Sequence, residues 1–420
     1  MVSSSSPPIN FDVAIQKLMK EERGYLLSVL IGTLHDLELA EDALHDAIEA
    51  ALVDWRKNGL PKSPKAWILK VAKRKAIDRL RRDKIAISKK DEIQFQLEQD
   101  NEPTEDEYAV PDERLRLIFT CCHPALDNKI SVALTLQMLG GLSTVEIAKA
   151  FLVNKEAMAQ RLVRGKRKIK QKAIPYTIPE KEIFKERLEA VLKVLYLIFN
   201  EGYSASSGKN HIRSELTNEA IRLARILLLL CPQEAEVRAL LALMLLHDSR
   251  RKSRFSKKGD FITLEDQDRK LWNFDLINEG MSLVESALKK GPVGSYQIQA
   301  SISAIHAQAD TYQETDWQEI VLLYDTLNIL TPSPVIILNR TVAASYIIPI
   351  EDCLADLDKL EKEFVNYQPF YAAKADFYAR SGSLYNAKLY YQKAIKLSGN
   401  DSEKKFLTGK IEAIKSLQSG

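Results

Sequence analysis

STVEIAKAFLVNKEAMAQRLVRGKRKIKQK, residues 143–172, describes two helices joined by a short turn. Ser143 followed by Glu146 is an S-x-x-E capping box, which gives the first helix a defined start. Ile147, Ala148 and Phe151 supply its apolar side. Asn154 can cap the second helix. On that helix Met158, Leu162 and Ile169 recur at helical spacing and share one face. Gln160, Arg164 and Arg167 fall roughly opposite, flanked by Glu156, Arg161 and Lys168, with Lys155 in the first turn. From Arg161 to Lys172 the chain carries seven basic residues and no acid, so the open side of this helix is strongly cationic. A buried face for a partner helix and an open face for base edges and phosphates are the requirements of a DNA-reading helix-turn-helix. The same pattern also fits a solvated helical hairpin, because such motifs are degenerate.

Outward from this stretch the sequence predicts helix almost everywhere, and no alternating strand series appears. A first amphipathic helix is expected over 10–32. Asp36 can cap a second, running to about Lys57 and ending near Asn58-Gly59. After the Leu60-Pro61 break, Ser63 and Pro64 start a third helix reaching about Asp83. Residues 91–107, DEIQFQLEQDNEPTEDE, are acidic and aperiodic and predict a linker. Helical texture resumes at Pro111, and Asp127 can cap a segment that stops at Gly140-Gly141. From about 182 the helices become long and rich in Leu and Ala. Tyr324, Leu357 and Tyr391 then recur at spacings of 33 and 34, with Leu327, Leu360 and Ala394 at the same offsets. The last unit, AKLYYQKAIKL (387–397), has the A-x3-Y-x2-A pattern of a tetratricopeptide helix. The fold class expected is all-α.

With 420 residues the chain is expected to form several domains. No apolar run is long enough to span a bilayer, and MVSSSSPPIN has no basic segment before an apolar one. A cytoplasmic protein without membrane association is the expectation. Four cysteines do not make a disulfide framework. The net charge of +3 conceals a strongly uneven distribution. Residues 12–54 hold ten acids and three bases, and 55–84 hold twelve bases and two acids. Residues 85–112 then hold nine acids and two bases, and 113–175 hold twelve bases and four acids. Two basic blocks separated by an acidic stretch imply two contacts with one polyanion.

The first basic block is centred on SPKAWILKVAKRKAIDRLRR, residues 63–82. Lys70, Arg74 and Arg81 line up along one helix edge with Lys73 beside them, a stripe able to follow a phosphate backbone. Trp67 offers base stacking, but Val71 and its other apolar neighbours favour a place in the core.

An acidic helix, a break, a basic helix with W-x4-A-x5-D-x2-R (Trp67, Ala72, Asp78, Arg81), an acidic linker and a basic helix pair, in that order, resemble a bacterial sigma factor of the extracytoplasmic-function type. The segments DERLRLIFTCCHPAL (112–126), RLVRGKRKI (161–169), LYLIFNEGYSAS (195–206), LMLLHDSRR (243–251) and LEDQDRKLW (264–272) resemble a subgroup of that family with a long tetratricopeptide-like extension. The resemblance implies a region 2-like domain over 1–84, an acidic linker over 85–112, a region 4-like domain over 113–175 and a helical extension over 176–420. It implies promoter DNA and core RNA polymerase as partners, no cofactor, no metal and no reaction of the chain's own. By that likeness Glu41, Asp42, Asp46 and Glu49, in the helix over 40–52, meet polymerase. Arg56, Lys57, Lys62, Lys70, Lys73, Arg74 and Arg81 meet the −10 region, where a base is flipped from the stack. Lys155, Glu156, Gln160, Arg161, Arg164, Arg167 and Lys168 meet the −35 element. The acidic linker would lie in a nucleic-acid channel or act as a simple tether. A regulatory protein or ligand on the extension is also implied.

Cys121-Cys122-His123 lacks the C-x2-C spacing of a zinc knuckle and predicts packing at a helix end. Asp266, Asp268 and Arg269, with Asn200, Glu201, His247 and Asp248, are expected to form an internal polar network or a ligand pocket. Two further readings stand beside the sigma factor. One is a helix-turn-helix regulator on a helical-repeat scaffold, which has no need of the acidic 40–52 helix. The other is an enzyme centred on 195–272, for which no catalytic constellation is legible.

Overall fold

Side-chain caps fix where the helices begin. The computed structural model describes residues 11–82, 111–151, 153–203, 214–256, 260–399 and 401–419. Among these there are eighteen α-helices and no strand ladder, so the fold is all-α. An isolated bridge joins Phe255 and Phe261. The acidic 91–107 stretch lies outside the described residues. No described helix is long and apolar enough to cross a membrane. The chain divides into two compact units, Met1–Ile198 and Phe199–Gly420.

The first unit starts with α1 (Phe11–Leu34), α2 (Leu37–Asn58) and α3 (Pro64–Arg82). Asp36 accepts a hydrogen bond from Leu39 N at 3.0 Å and so caps α2. The inner face of α2 is Ala40, Ala43, Leu44, Ala47, Ala51 and Trp55. Four alanines let the neighbouring helices approach closely, and Trp55 closes the end, its ring edge-on to Trp67 at 5.5 Å. Trp67 therefore belongs to the core edge, as its apolar neighbours predict.

Next come α4 (Pro111–Cys121), α5 (Asn128–Met138), α6 (Thr144–Ala150) and α7 (Lys155–Gln171). Asp127 caps α5, with Ile130 N at 3.0 Å. The box at Ser143 and Glu146 closes in both directions. Asn154 accepts from Ala157 N at 2.7 Å and starts α7. Cys121 and Cys122 are buried at the end of α4, against Met138 Sδ (3.7 Å) and Thr135 Oγ1 (3.5 Å). Burial pushes the Cys122 thiol up to about 12, so it stays protonated and inert.

These helices form one unit with the first three. α1 passes so close to the turn after α5 that a Cβ at Gly24 would sit 3.0 Å from the Leu139 carbonyl. Gly141 has φ +69°, and a Cβ there would meet Met19 O at 2.9 Å. The segment after α7 folds back as well. The Tyr176 hydroxyl donates to the carbonyls of Ser28 (2.9 Å) and Glu113 (3.0 Å). At the start of α8 (Lys181–Tyr203), Arg187 donates to Phe119 O at 2.8 Å and Phe184 meets the Phe119 ring edge-on. The boundary expected at 175/176 thus falls inside this unit, because aromatic and guanidinium side chains beyond it complete the α4 core.

In the second unit α9 (Ser214–Leu230), α10 (Ala235–Ser249), α11 (Phe274–Leu288) and α12 (Ser295–Gln308) come first. α10 is apolar nearly all round, which suits a helix enclosed by its neighbours. Then follow α13 (Trp317–Leu330), α14 (Pro334–Ala344), α15 (Ile350–Leu360), α16 (Gln368–Arg380), α17 (Leu384–Leu397) and α18 (Asp401–Ser419). Tyr324 and Leu327 lie on α13, Leu357 and Leu360 on α15, Tyr391 and Ala394 on α17, all in or against one core. The 33–34-residue spacing therefore marks every second helix.

α5 and α7 cross at a glycine. A Cβ at Gly165 would stand 2.7 Å from Ile130 Cγ2 and 3.0 Å from Leu134 Cδ1. Gly165→Val should cost about 1–3 kcal/mol through overpacking. Hydrogen exchange read by mass spectrometry should show faster exchange across α5 and α7. Adding Ile130→Ala should slow it again, whereas no change in the single variant would mean the crossing is loose.

Candidate nucleic-acid interface

The buried face of α7 is Met158, Leu162, Gly165 and Ile169. Lys155, Glu156, Gln160, Arg164 and Arg167 are exposed, and Arg161 and Lys168 are half-buried at the margins. Arg164 Nε reaches back to Gln160 O at 3.4 Å, which lays its guanidinium along the outer face. The side chains expected to meet DNA therefore lie on the exposed side and margins of α7, with the exposed Val163 among them.

Lys166 does something else. It forms an ion pair with Glu41 of α2, and Arg23 of α1 reaches the same carboxylate at 3.4 Å. Arg23 also donates to Gln137 O at 3.2 Å. The Glu41 side chain is only 12% exposed. Burial holds the Arg23 pKa below its ordinary value, partly offset by Glu41. The sequence alone places Lys166 only within the basic run 161–172, and its resemblance places Glu41 among the polymerase-facing residues. The missed signal was spacing: Lys166 lies four residues after Leu162 and eight after Met158, so it borders the buried face.

The remaining acids of α2 divide similarly. Arg79 of α3 grips Asp46 through Nε and Nη2, both at 2.9 Å, and reaches Asp42 through Nη1 at 2.6 Å. Asp42 and Glu49 keep their side chains mostly in solvent, at 60% and 67% exposure. Glu49 also pairs with His45 at 3.2 Å. Of the four expected polymerase contacts, only these two stand well out.

On the first basic block Arg56, Lys57, Lys62, Lys70, Arg74 and Arg81 are exposed. Arg81 stands 4.0 Å from Asp78 on its own helix. Lys73 departs from the expected stripe: it is buried, because it falls beside Ala72 and Ala76 on the inner side of α3. Gly59, at φ +83°, turns the chain between α2 and the loop that carries Lys62.

In the second unit Arg269 and His247 enter one polar cluster. Asp266 instead accepts from Thr263 Oγ1 at 2.6 Å, and Asp268 caps a short 3-10 turn through Lys270 N.

The molecule is thus an all-helical protein whose first unit presents two basic faces, one on α3 and its preceding loop and one on α7. Residues 18–85 match the family model described as Sigma-70 region 2, and residues 187–288 match one described as a family of unknown function, DUF6596. A curated relative from Rhizobium meliloti (strain 1021), named "Uncharacterized protein R00370", is 38% identical over 397 residues, covering 93% of each chain. The chain belongs to the sigma-70 family, as an extracytoplasmic-function-like member with a long C-terminal extension, and has a sigma-factor-like role in promoter recognition.

The hydrogen bond from Arg79, together with its charge, holds the Asp46 carboxyl below its ordinary value. A depressed folded pKa contributes stability that is present above the unfolded carboxylate value, about 3.9, and is lost as pH falls through the folded value. Arg79→Met should return the Asp46 pKa toward about 3.9. A side-chain carboxyl NMR titration checks this, and an unmoved midpoint would assign the depression elsewhere.

Proposed function

We propose that this protein is an alternative sigma factor that binds core RNA polymerase and directs it to a defined set of promoters. The match of α1–α3 to Sigma-70 region 2 carries the reading. On it, residues 1–84 bind polymerase and the −10 element, 85–112 link the modules, and 113–175 form the helix-turn-helix domain that binds the −35 element. The exposed row Gln160, Arg164 and Arg167 on α7, backed by an apolar face, supports base and phosphate contact. Exposed Arg56, Lys57, Lys62, Lys70, Arg74 and Arg81 support the −10 contact. Asp42 and Glu49 are the acids best placed to steer the chain onto a basic polymerase surface. The segment from 176 onward, with its tetratricopeptide-like helices, regulates this activity through a protein or ligand bound to it. Because Tyr176 and Arg187 pack into the first unit, a deletion that tests the extension belongs after Ile198.

Run-off transcription with purified core polymerase and genomic promoter fragments tests the central claim. A specific transcript that depends on the added protein is expected. Absence of both a stable polymerase complex and a transcript, for the full chain and the chain ending at Ile198, would refute it.

Arg164→Ala and Arg167→Ala should each weaken promoter-fragment binding and make the slope of log K against log salt shallower by about 1. Fluorescence anisotropy over a salt series measures both quantities. An unchanged slope would remove this face of α7 from the DNA contact.

A further inference from the structure

Among the described residues of the second unit, three arginines cluster with no carboxylate in ion-pair contact. Arg250 donates to the Tyr203 hydroxyl at 3.2 Å. Arg254 stacks its guanidinium 3.7 Å from the Tyr203 ring centre and donates to Tyr203 O at 2.5 Å. Arg269 lies 4.5 Å from the Trp272 ring centre, with Arg250 5.9 Å from the same ring. Tyr203 and Trp272 thus tie the three guanidiniums into one cluster. His247, tilted against Tyr203 at 5.2 Å, and His306, whose carbonyl accepts from Arg269 at 2.8 Å, border it.

No carboxylate among the described residues forms a salt bridge with any of the three arginines. Asp248 forms its ion pair with Arg251, with Nε at 2.7 Å, and acts on Arg254 only at longer range. Asp310 and Glu314 act on Arg269 only at longer range, and Glu314 is engaged by Thr311. Burial lowers the pKa of Arg254 and of Arg269, and pushes His247 down to about 3 and His306 to about 4. Both histidines are neutral at physiological pH, so the excess charge resides on the guanidiniums.

Hydrogen bonding is incomplete at the same place. Ten buried side-chain nitrogen or oxygen atoms among the described residues lack a partner, and four of them are Arg269 Nη2, Trp272 Nε1, His247 Nδ1 and His306 Nδ1. A fifth, Thr315 Oγ1, lies two residues before Trp317, whose ring meets that of His306 at 5.3 Å. Unpaired buried donors and an uncompensated charge are each costly, and their concentration in one cluster calls for a ligand that answers both. Arg269 Nη2 and Trp272 Nε1 offer N–H groups. The Ser303 hydroxyl donates to Gln299 O, so it accepts from His247 Nε2–H at 3.0 Å, which leaves His247 Nδ1 as an acceptor.

We propose that this cluster, built around Arg250, Arg254 and Arg269, binds a small oxyanion that also carries a hydroxyl, such as a hydrogenphosphate or a hydroxycarboxylate. The oxyanion neutralises the guanidiniums and takes the free N–H groups, and its hydroxyl donates to His247 Nδ1. The site lies within the second unit and does not rest on the sigma-factor reading.

Isothermal titration calorimetry of the full-length protein, with inorganic phosphate, L-malate and sulfate at matched ionic strength, tests this. One-site saturable binding of phosphate or of L-malate is expected, and which one saturates distinguishes the two sources. Sulfate, which has no hydroxyl at neutral pH, should bind at least about tenfold more weakly. Arg250→Gln should weaken binding at least about tenfold with an unchanged circular dichroism spectrum. Trp272→Phe, which removes the N–H and keeps a smaller aromatic ring, gives a second probe should Arg250→Gln fail to fold. No saturation by phosphate or L-malate up to about 10 mM, or equal binding by both variants, would overturn the site. Sulfate binding as tight as phosphate would overturn the role of His247.

Discussion

The first unit depends on one shared carboxylate. Glu41 sits between Arg23 of α1 and Lys166 of α7, so three helices from opposite ends of the unit meet at a single charge. A buried pair of this kind is weak evidence of net stability, because desolvation consumes much of the attraction. Its effect is directional. Removing either cation leaves a charge that solvent reaches poorly, so the arrangement strongly prefers one register of α7 against α1 and α2. The exposed residues Gln160, Arg164 and Arg167 of α7 are then aimed outward by a contact made on another edge of the helix.

Close backbone approach makes that contact possible. Gly24 lets α1 touch the turn after α5, Gly141 lets that turn meet Met19, and Gly165 lets α7 settle on Ile130 and Leu134. Each glycine stands where a methyl group would collide with backbone or a packed branch. A larger residue at any of them would separate the helices whose nearness lets Lys166 reach Glu41. The charge and the small residues are thus one device: sterics sets the distance and the ion pair selects the register.

This explains what was legible beforehand. Helix starts at Asp36, Asp127, Ser143 and Asn154 were readable because a cap is local, needing only a side chain and an amide three residues on. The buried face of α7 was readable from its period, and the core position of Trp67 from its neighbours. The partners of Glu41 and Asp46 and the burial of Lys73 were not, since charge type in a sequence says nothing about which charges fold inward or toward each other. A count of basic residues treats Lys166 and Arg167 alike, although one is tied to an acid more than a hundred residues earlier and the other faces solvent. Tyr176 and Arg187 show the same limit, because their carbonyl acceptors lie far away in sequence.

Both units neutralise buried cations within the chain, with exceptions of different extent. In the first, inward-facing cations find carboxylates: Lys166 and Arg23 meet Glu41, and Arg79 meets Asp46 and Asp42. Arg187 is an exception there, buried on the Phe119 carbonyl and ring, and Lys73 is buried too, whereas the exposed cations of α3 and α7 face solvent, where a polyanion can reach them. In the second, Lys374 follows the first unit's rule, buried between Asp358 and Glu361 with the Tyr390 ring 4.7 Å away. Arg250, Arg254 and Arg269 break it, resting on aromatic faces and carbonyl oxygens that accept hydrogen bonds without cancelling charge. A fold that pairs Lys374 so completely does not lack carboxylates with which to pair arginines. Unlike the lone Arg187, these three lie together beside unpartnered ring and guanidinium nitrogens, and the cluster therefore marks a place where the neutralising group comes from outside the chain.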